Sequence, residues 1–211
     1  MHIGIDALFR LLPGAGLIHL TRIVSAWRDA IPRTGDRLTI FTTADGATAL
    51  ESLRSPGVTF RVYDWPGRGI GHRFLWEQVR LLRIVAALDD PPDVLFCSGN
   101  MAPLWSAVPI VLVLRSVALF CQDMPLTIYR RGIGQMMRLS ARQAVQVIGN
   151  SAVISTLVTE SFGVNSAHVN MIHYGCDQAS IPDNAPVSPS PYTFPYLLCI
   201  SAIRRYKCMS N

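Results

Sequence analysis

Short apolar runs alternate along this chain with longer segments whose apolar residues recur every three or four positions. That alternation predicts a parallel sheet covered by helices. A first strand is predicted over residues 2–7, and Leu17, Leu20, Ile23, Val24 and Trp27 then share one helical face over 17–30. Between the two stands a turn of small residues, Pro13-Gly14-Ala15-Gly16. Residues 38–42 and 58–63 predict a second and a third strand, separated by a helix over 45–54 with Asp45 near its start.

The pattern loosens at Trp65-Pro66-Gly67-Arg68-Gly69-Ile70-Gly71 and tightens into a long helix over 73–88, closed by Pro91 and Pro92. Residues 94–97 and 110–114 are apolar throughout, as central strands buried on both faces must be. A basic helix is predicted over 129–144 and a short strand over 146–149. A helix over 152–162 follows, capped by Asn150-Ser151 and ended by Gly163. Residues 169–173 predict a last strand.

Pro182, Pro186, Pro189, Pro191 and Pro195 then mark a linker among small polar residues, and a fresh apolar run begins at Tyr196. The expected organisation is a doubly wound, Rossmann-like α/β domain over 1–177, a Pro-rich linker over 178–195, and the stub of a second domain over 196–211.

Half of the 211 residues are hydrophobic and 16% are charged, against roughly a quarter charged in an average soluble domain, which excludes a disordered chain. A formal charge of +5 favours anionic partners such as phosphates, nucleotides or an acidic membrane surface. Cys97, Cys121, Cys176, Cys199 and Cys208 are widely spaced with no C-x-x-C pair, so they read as reduced, buried thiols. The start Met1-His2-Ile3-Gly4-Ile5-Asp6 lacks the basic and apolar segments of a secretory leader. The most apolar stretch, 105–121, is shorter than the ~20 residues that span a bilayer and is broken by Pro109 and Arg115. A cytoplasmic location without a membrane-crossing helix is expected.

Several motifs recur in a fixed order: the first strand with its small-residue loop, His72-Arg73-Phe74-Leu75-Trp76-Glu77-Gln78, Val111-Leu112-Val113-Leu114-Arg115-Ser116, Val147-Ile148-Gly149-Asn150-Ser151, Phe162-Gly163-Val164, and His173-Tyr174-Gly175-Cys176-Asp177. With Tyr196-Leu197-Leu198-Cys199-Ile200-Ser201 and Tyr206-Lys207, they resemble the retaining glycosyltransferases of group 1, or family 4, from Met1 to about Lys207. Those enzymes have the GT-B fold, two Rossmann-like domains facing a cleft. The resemblance implies the acceptor-side half of an enzyme that moves a sugar from a nucleotide-sugar donor to a glycan or lipid-linked acceptor. It implies retention of anomeric configuration, no metal, and no cofactor beyond the nucleotide sugar as substrate. The donor-side half with its paired glutamates is missing, and Cys208 replaces the family's asparagine. The chain therefore reads as truncated, by a frame change or as a natural short form, and as inactive alone.

Gly14, Ala15 and Gly16 stand where backbone N–H groups and a positive helix end hold a phosphate. The resemblance implies contact with the donor diphosphate, although a tight turn needing glycine explains the same residues. Arg115 and Ser116 follow a buried strand at its carboxyl end, where open α/β sheets place ligands. Many relatives carry histidine at this point, close to the reacting sugar. Arginine is no base near neutral pH, but it grips phosphate through paired donors. An arginine reaching for solvent is the plainer alternative.

By resemblance His72 and Glu77 line the acceptor side, with Trp76 weighed as a packing residue and Glu77 as a cap or ion-pair partner. Ser116, Asn150 and Ser151 are further acceptor-side candidates, and a helix cap alone accounts for the last two. Lys207 matches a lysine that reaches the donor diphosphate in relatives. His19 and His173 read as structural. Arg130, Arg131, Arg138 and Arg142 suit either peripheral contact with the inner face of a membrane or a solvated helix face.

The competing reading is a non-catalytic module that complements or regulates a complete glycosyltransferase. A nicotinamide enzyme is disfavoured because no G-x-G-x-x-G follows the first strand. Nothing in the sequence points to nucleic acid.

Overall fold

The computed structural model describes residues 1–8, 15–64, 76–116, 120 and 128–175. Among them, seven strands form one sheet: β1 (His2–Ala7), β2 (Arg37–Thr42), β3 (Val58–Val62), β4 (Val94–Cys97), β5 (Ile110–Leu114), β6 (Gln146–Gly149) and β7 (Val169–Met171). Their order is β3-β2-β1-β4-β5-β6-β7, and every neighbouring pair is parallel. The chain builds outward from β1 to β3, crosses back to the other side of β1, and builds outward again to β7. Its direction reverses between β1 and β4, and such a reversal opens a crevice beyond the carboxyl ends of the strands. The doubly wound α/β class expected from the sequence is the one observed.

One face of the sheet is covered by α1 (Ala15–Thr34) and α2 (Ala44–Ala49). Leu20 and Val24 of α1 pack on Ile3, Ile5, Leu38, Ile40, Phe96 and Val113, and Trp27 meets the Phe96 ring edge-on at 4.8 Å. Burying a side chain of this size stabilises the fold by roughly 1.5–3 kcal/mol. The other face is covered by three helices. A π-helical turn, Trp76–Leu81, enters α3 (Leu82–Ala86); α4 is Ile128–Gln143; and α5 (Ala152–Thr156) runs on as a second π-helical turn, Leu157–Ser161. Trp76, Leu81, Val85, Met137, Ala141, Ile154, Val158 and Phe162 pack there against Phe41, Leu95, Leu112, Leu114 and Val147.

Strands β1, β4, β5 and β6 have the predicted bounds. Helix α1 does not stop at residue 30 but continues past Pro32 to Thr34. Gly35, at φ +68°, ends it by donating its N–H to Ile31 O at 2.8 Å. The predicted helix over 45–54 is broken after Ala49 into a short 3₁₀ turn, Glu51–Leu53, and it is Thr43 that caps α2, accepting from the Gly46 N–H at 3.2 Å. Gly163 ends the α5 segment at φ +71°, as expected. Among the described residues no helix is long and apolar enough to cross a membrane. The predicted linker and second-domain stub, and every cysteine but the buried Cys97, lie outside the described residues.

Candidate functional site at the carboxyl edge of the sheet

The described residues that follow β1, β4, β5, β6 and β7 lie at the carboxyl edge of the sheet. At the end of β1, the buried Asp6 accepts from the Leu8 N–H through Oδ1 at 3.1 Å, which turns the chain out of the sheet. Helix α1 then opens at Ala15 with Gly16 in its first turn, and no acidic side chain stands in that turn. Its amino end therefore presents N–H groups without intrahelical partners and the positive end of the helix dipole.

Beyond β4, Ser98 is fully buried and its Oγ has no hydrogen-bond partner among the described residues. Asn100 adopts the left-handed conformation at φ +65°, one that asparagine tolerates better than most side chains. Its Oδ1 accepts the Arg115 N–H at 2.7 Å, tying the loop after β4 to the loop after β5. The 102–104 stretch behind it is clamped from two helices. Gln78 donates to Ala102 O at 3.1 Å and accepts the Leu104 N–H at 2.7 Å, while Ser140 Oγ lies 3.1 Å from both the N and the O of Ala102. The loop that carries Asn100, and with it the contact to Arg115, is thus anchored two residues further on by buried polar groups.

Arg115 is half-buried and Ser116 exposed. Asn150 is half-buried after β6, and Ser151 caps α5 through its Oγ, 3.4 Å from the Ile154 N–H. Past β7, Ile172 donates to Gly149 O at 2.9 Å, and the chain swings back so that the Tyr174 ring meets His19 edge-on at 4.9 Å. His19, one turn into α1, is half-buried with Nε2 sealed from solvent and without a hydrogen-bond partner among the described residues. Burial, and then the positive charge of Arg115, hold its pKa below the usual histidine value. His19 is consequently neutral near pH 7.

His19, which the sequence suggests is structural, thus joins Arg115 and Tyr174 at the site. Its signal in the sequence is a histidine one turn inside the helix that follows the first strand. Gly14, His72 and Lys207 lie outside the described residues. Glu77 is fully buried in the π-helical turn between Trp76 and Gln78, and Trp76 packs against Tyr63 at 5.8 Å. Two cations of the basic set serve the fold. Arg142 Nε donates to Phe162 O at 2.5 Å, and Arg138 lies 5.8 Å over the Phe162 ring. No three His, Cys, Asp or Glu side chains among the described residues gather to hold a metal ion.

The family model described as Glycosyltransferase Family 4 matches residues 20–180. Among solved structures, the lipopolysaccharide outer core galactosyltransferase WaaB in its apo form aligns with a TM-score of 0.55 at 10% identity, over 82% of this chain and 45% of that one. The UDP-GlcNAc 2-epimerase from Methanocaldococcus jannaschii aligns at 0.51 and 14% identity, over 82% and 45%. CalG4, the calicheamicin glycosyltransferase, aligns at 0.50 and 13% identity, over 89% and 56%. At such identities the likeness is one of fold. The chain spans about half the length of these proteins. No curated protein matches it.

Proposed function

Because the chain belongs to glycosyltransferase family 4, we propose that it supplies the acceptor-side half of a site that transfers a sugar from a nucleotide-sugar donor to a glycan or lipid-linked acceptor. The observation that carries the proposal is the convergence of the α1 amino end, His19, Arg115 and Tyr174 on the crevice beside β1 and β4. In the transfer, the bond between the sugar's anomeric carbon and the donor phosphate oxygen breaks while the acceptor oxygen bonds to that carbon. The acceptor's proton goes to the departing phosphate, and the reaction proceeds with retention. Negative charge grows on the leaving diphosphate. The Arg115 backbone is held by Asn100 and the N–H groups at the start of α1 are set by the helix, so the guanidinium and these N–H groups meet that charge with little reorganisation. Arg115 stays cationic and acts by holding charge, not by moving a proton. No metal enters this scheme.

The test is a calorimetric titration of the chain with UDP and GDP, repeated on Arg115→Met. Binding in the millimolar range or tighter is expected, weakened about tenfold in the variant, a loss of about 1.4 kcal/mol, with the melting temperature unchanged. Absence of binding by either nucleotide would overturn the proposal in favour of the non-catalytic module.

A further inference from the structure

A second polar depression lies on the sheet away from the carboxyl edge. It is a groove of about 450 Å³ lined by His2, Arg37, Thr39, Thr59, Arg61 and Asp90, with Asp89 beside them. Strand alternation explains its composition. His2 pairs with Arg37 and Thr39 with Thr59, so these side chains, with Arg61, stand on one face, while Leu38, Ile40, Val58 and Phe60 fill the core on the other. The segment after α3 brings Asp89 and Asp90 against the starts of β1 and β2.

His2 is 7% exposed, and its Nε2 is 2.8 Å from Thr39 Oγ1. Its Nδ1 is sealed from solvent and has no hydrogen-bond partner among the described residues; the nearest carboxylate oxygen among them, on Asp90, is 3.7 Å away. That separation is too long for a hydrogen bond between them. Asp90 also holds Arg37, which fixes its carboxylate in place and keeps its pKa below the ordinary value. Arg61 is exposed and forms no ion pair among the described residues.

We infer that this groove binds a neutral polyhydroxylated ligand, a carbohydrate chain, at a site separate from the carboxyl edge. The choice of ligand follows from the mixture of groups. The guanidinium donors of Arg37 and Arg61, the carboxylate acceptors of Asp89 and Asp90 and the hydroxyls of Thr39 and Thr59 line one groove, a mixture of donors and acceptors that suits the hydroxyls of a sugar ring. A small anion would meet Asp89 and Asp90 as like charges. Ala87 and Leu88 supply apolar surface for the C–H face of a sugar. The inference does not depend on the carboxyl edge, and it stands or falls without nucleotide binding there.

The test is to follow the His2 ring and the Thr39 and Thr59 amides by NMR. The full chain is titrated with maltotriose, cellotriose and chitotriose up to about 50 mM, and separately with sodium phosphate. Saturable shifts at these three residues with at least one trisaccharide are expected. Arg61→Ala and Asp89→Asn, both at exposed positions, should each weaken binding about fivefold, the effect of one lost hydrogen bond, with the melting temperature unchanged. No shift with any trisaccharide, shifts produced by phosphate instead, or undiminished binding by both variants would overturn it.

Discussion

The two faces of the sheet are built differently. On the α1 face, a long regular helix lays an apolar stripe over β1, β2 and β4, and the contacts are almost wholly between hydrocarbons. On the other face the helices are interrupted by π-helical turns, and Glu77, Gln78 and Ser140 are buried among apolar neighbours. The difference separates two tasks. The first face holds the sheet together, and the second spends buried polar groups on fixing the loops after β4 and β5. Polar clamps suit that task because a hydrogen bond is directional and the hydrophobic effect is not.

The comparison breaks most visibly at Leu20. Leu20→Ala removes a fully buried side chain from the first face and should cost about 2–5 kcal/mol in denaturant unfolding, with nucleotide affinity of the folded fraction unaltered. Gln78→Leu strikes the second face. It leaves the Leu104 N–H buried without its acceptor and should cost about 1–3 kcal/mol. Here the Asn100 side-chain and Arg115 amide resonances should also move, and a stability loss that left them in place would show that the clamp does not position the site.

The smallest effect is a pH dependence from His19. Its folded pKa is depressed below 6.5, so between that folded value and 6.5 the unfolded chain binds more protons and stability rises with pH. The contribution is complete above about pH 6.5 and is lost as the pH falls through that window toward the folded value. Melting temperatures measured from about pH 7.5 to about 5.5 should fall more for the parent than for His19→Gln. Equal slopes would mean that His19 is not held neutral by the fold. Asp36 and Asp90, whose pKa values are also depressed, lose their contributions only in the acid range below about pH 4, so the two effects do not overlap.

These faces also mark what could be read in advance. Buried parallel strands must be apolar on both sides, so β4 and β5 stood out as uninterrupted runs, and the 3.6-residue stripe of α1 was equally plain. The helix ends were harder to place, because Pro32 marks a stop that the last turn of α1 does not obey and the π-helical turns have no compositional sign. Gln78 and Ser140 look like solvated helix positions until α3 and α4 pack on the 102–104 loop. His19 gives no hint of Arg115 or Tyr174, which lie 96 and 155 positions away in sequence and come together only through the strand order.

That strand order also sets a timetable. β1 lies between β2 and β4, so its second edge stays open until residue 97 is made, about 90 residues after its own last residue. At roughly 5–20 residues per second, synthesis leaves that edge unpaired for roughly 5–20 seconds. An apolar strand with an open edge recruits other chains. A strand whose every residue is buried in the finished sheet is thus the one with an edge open longest while the chain is being made, and changes along residues 2–7 should lower yield as well as stability.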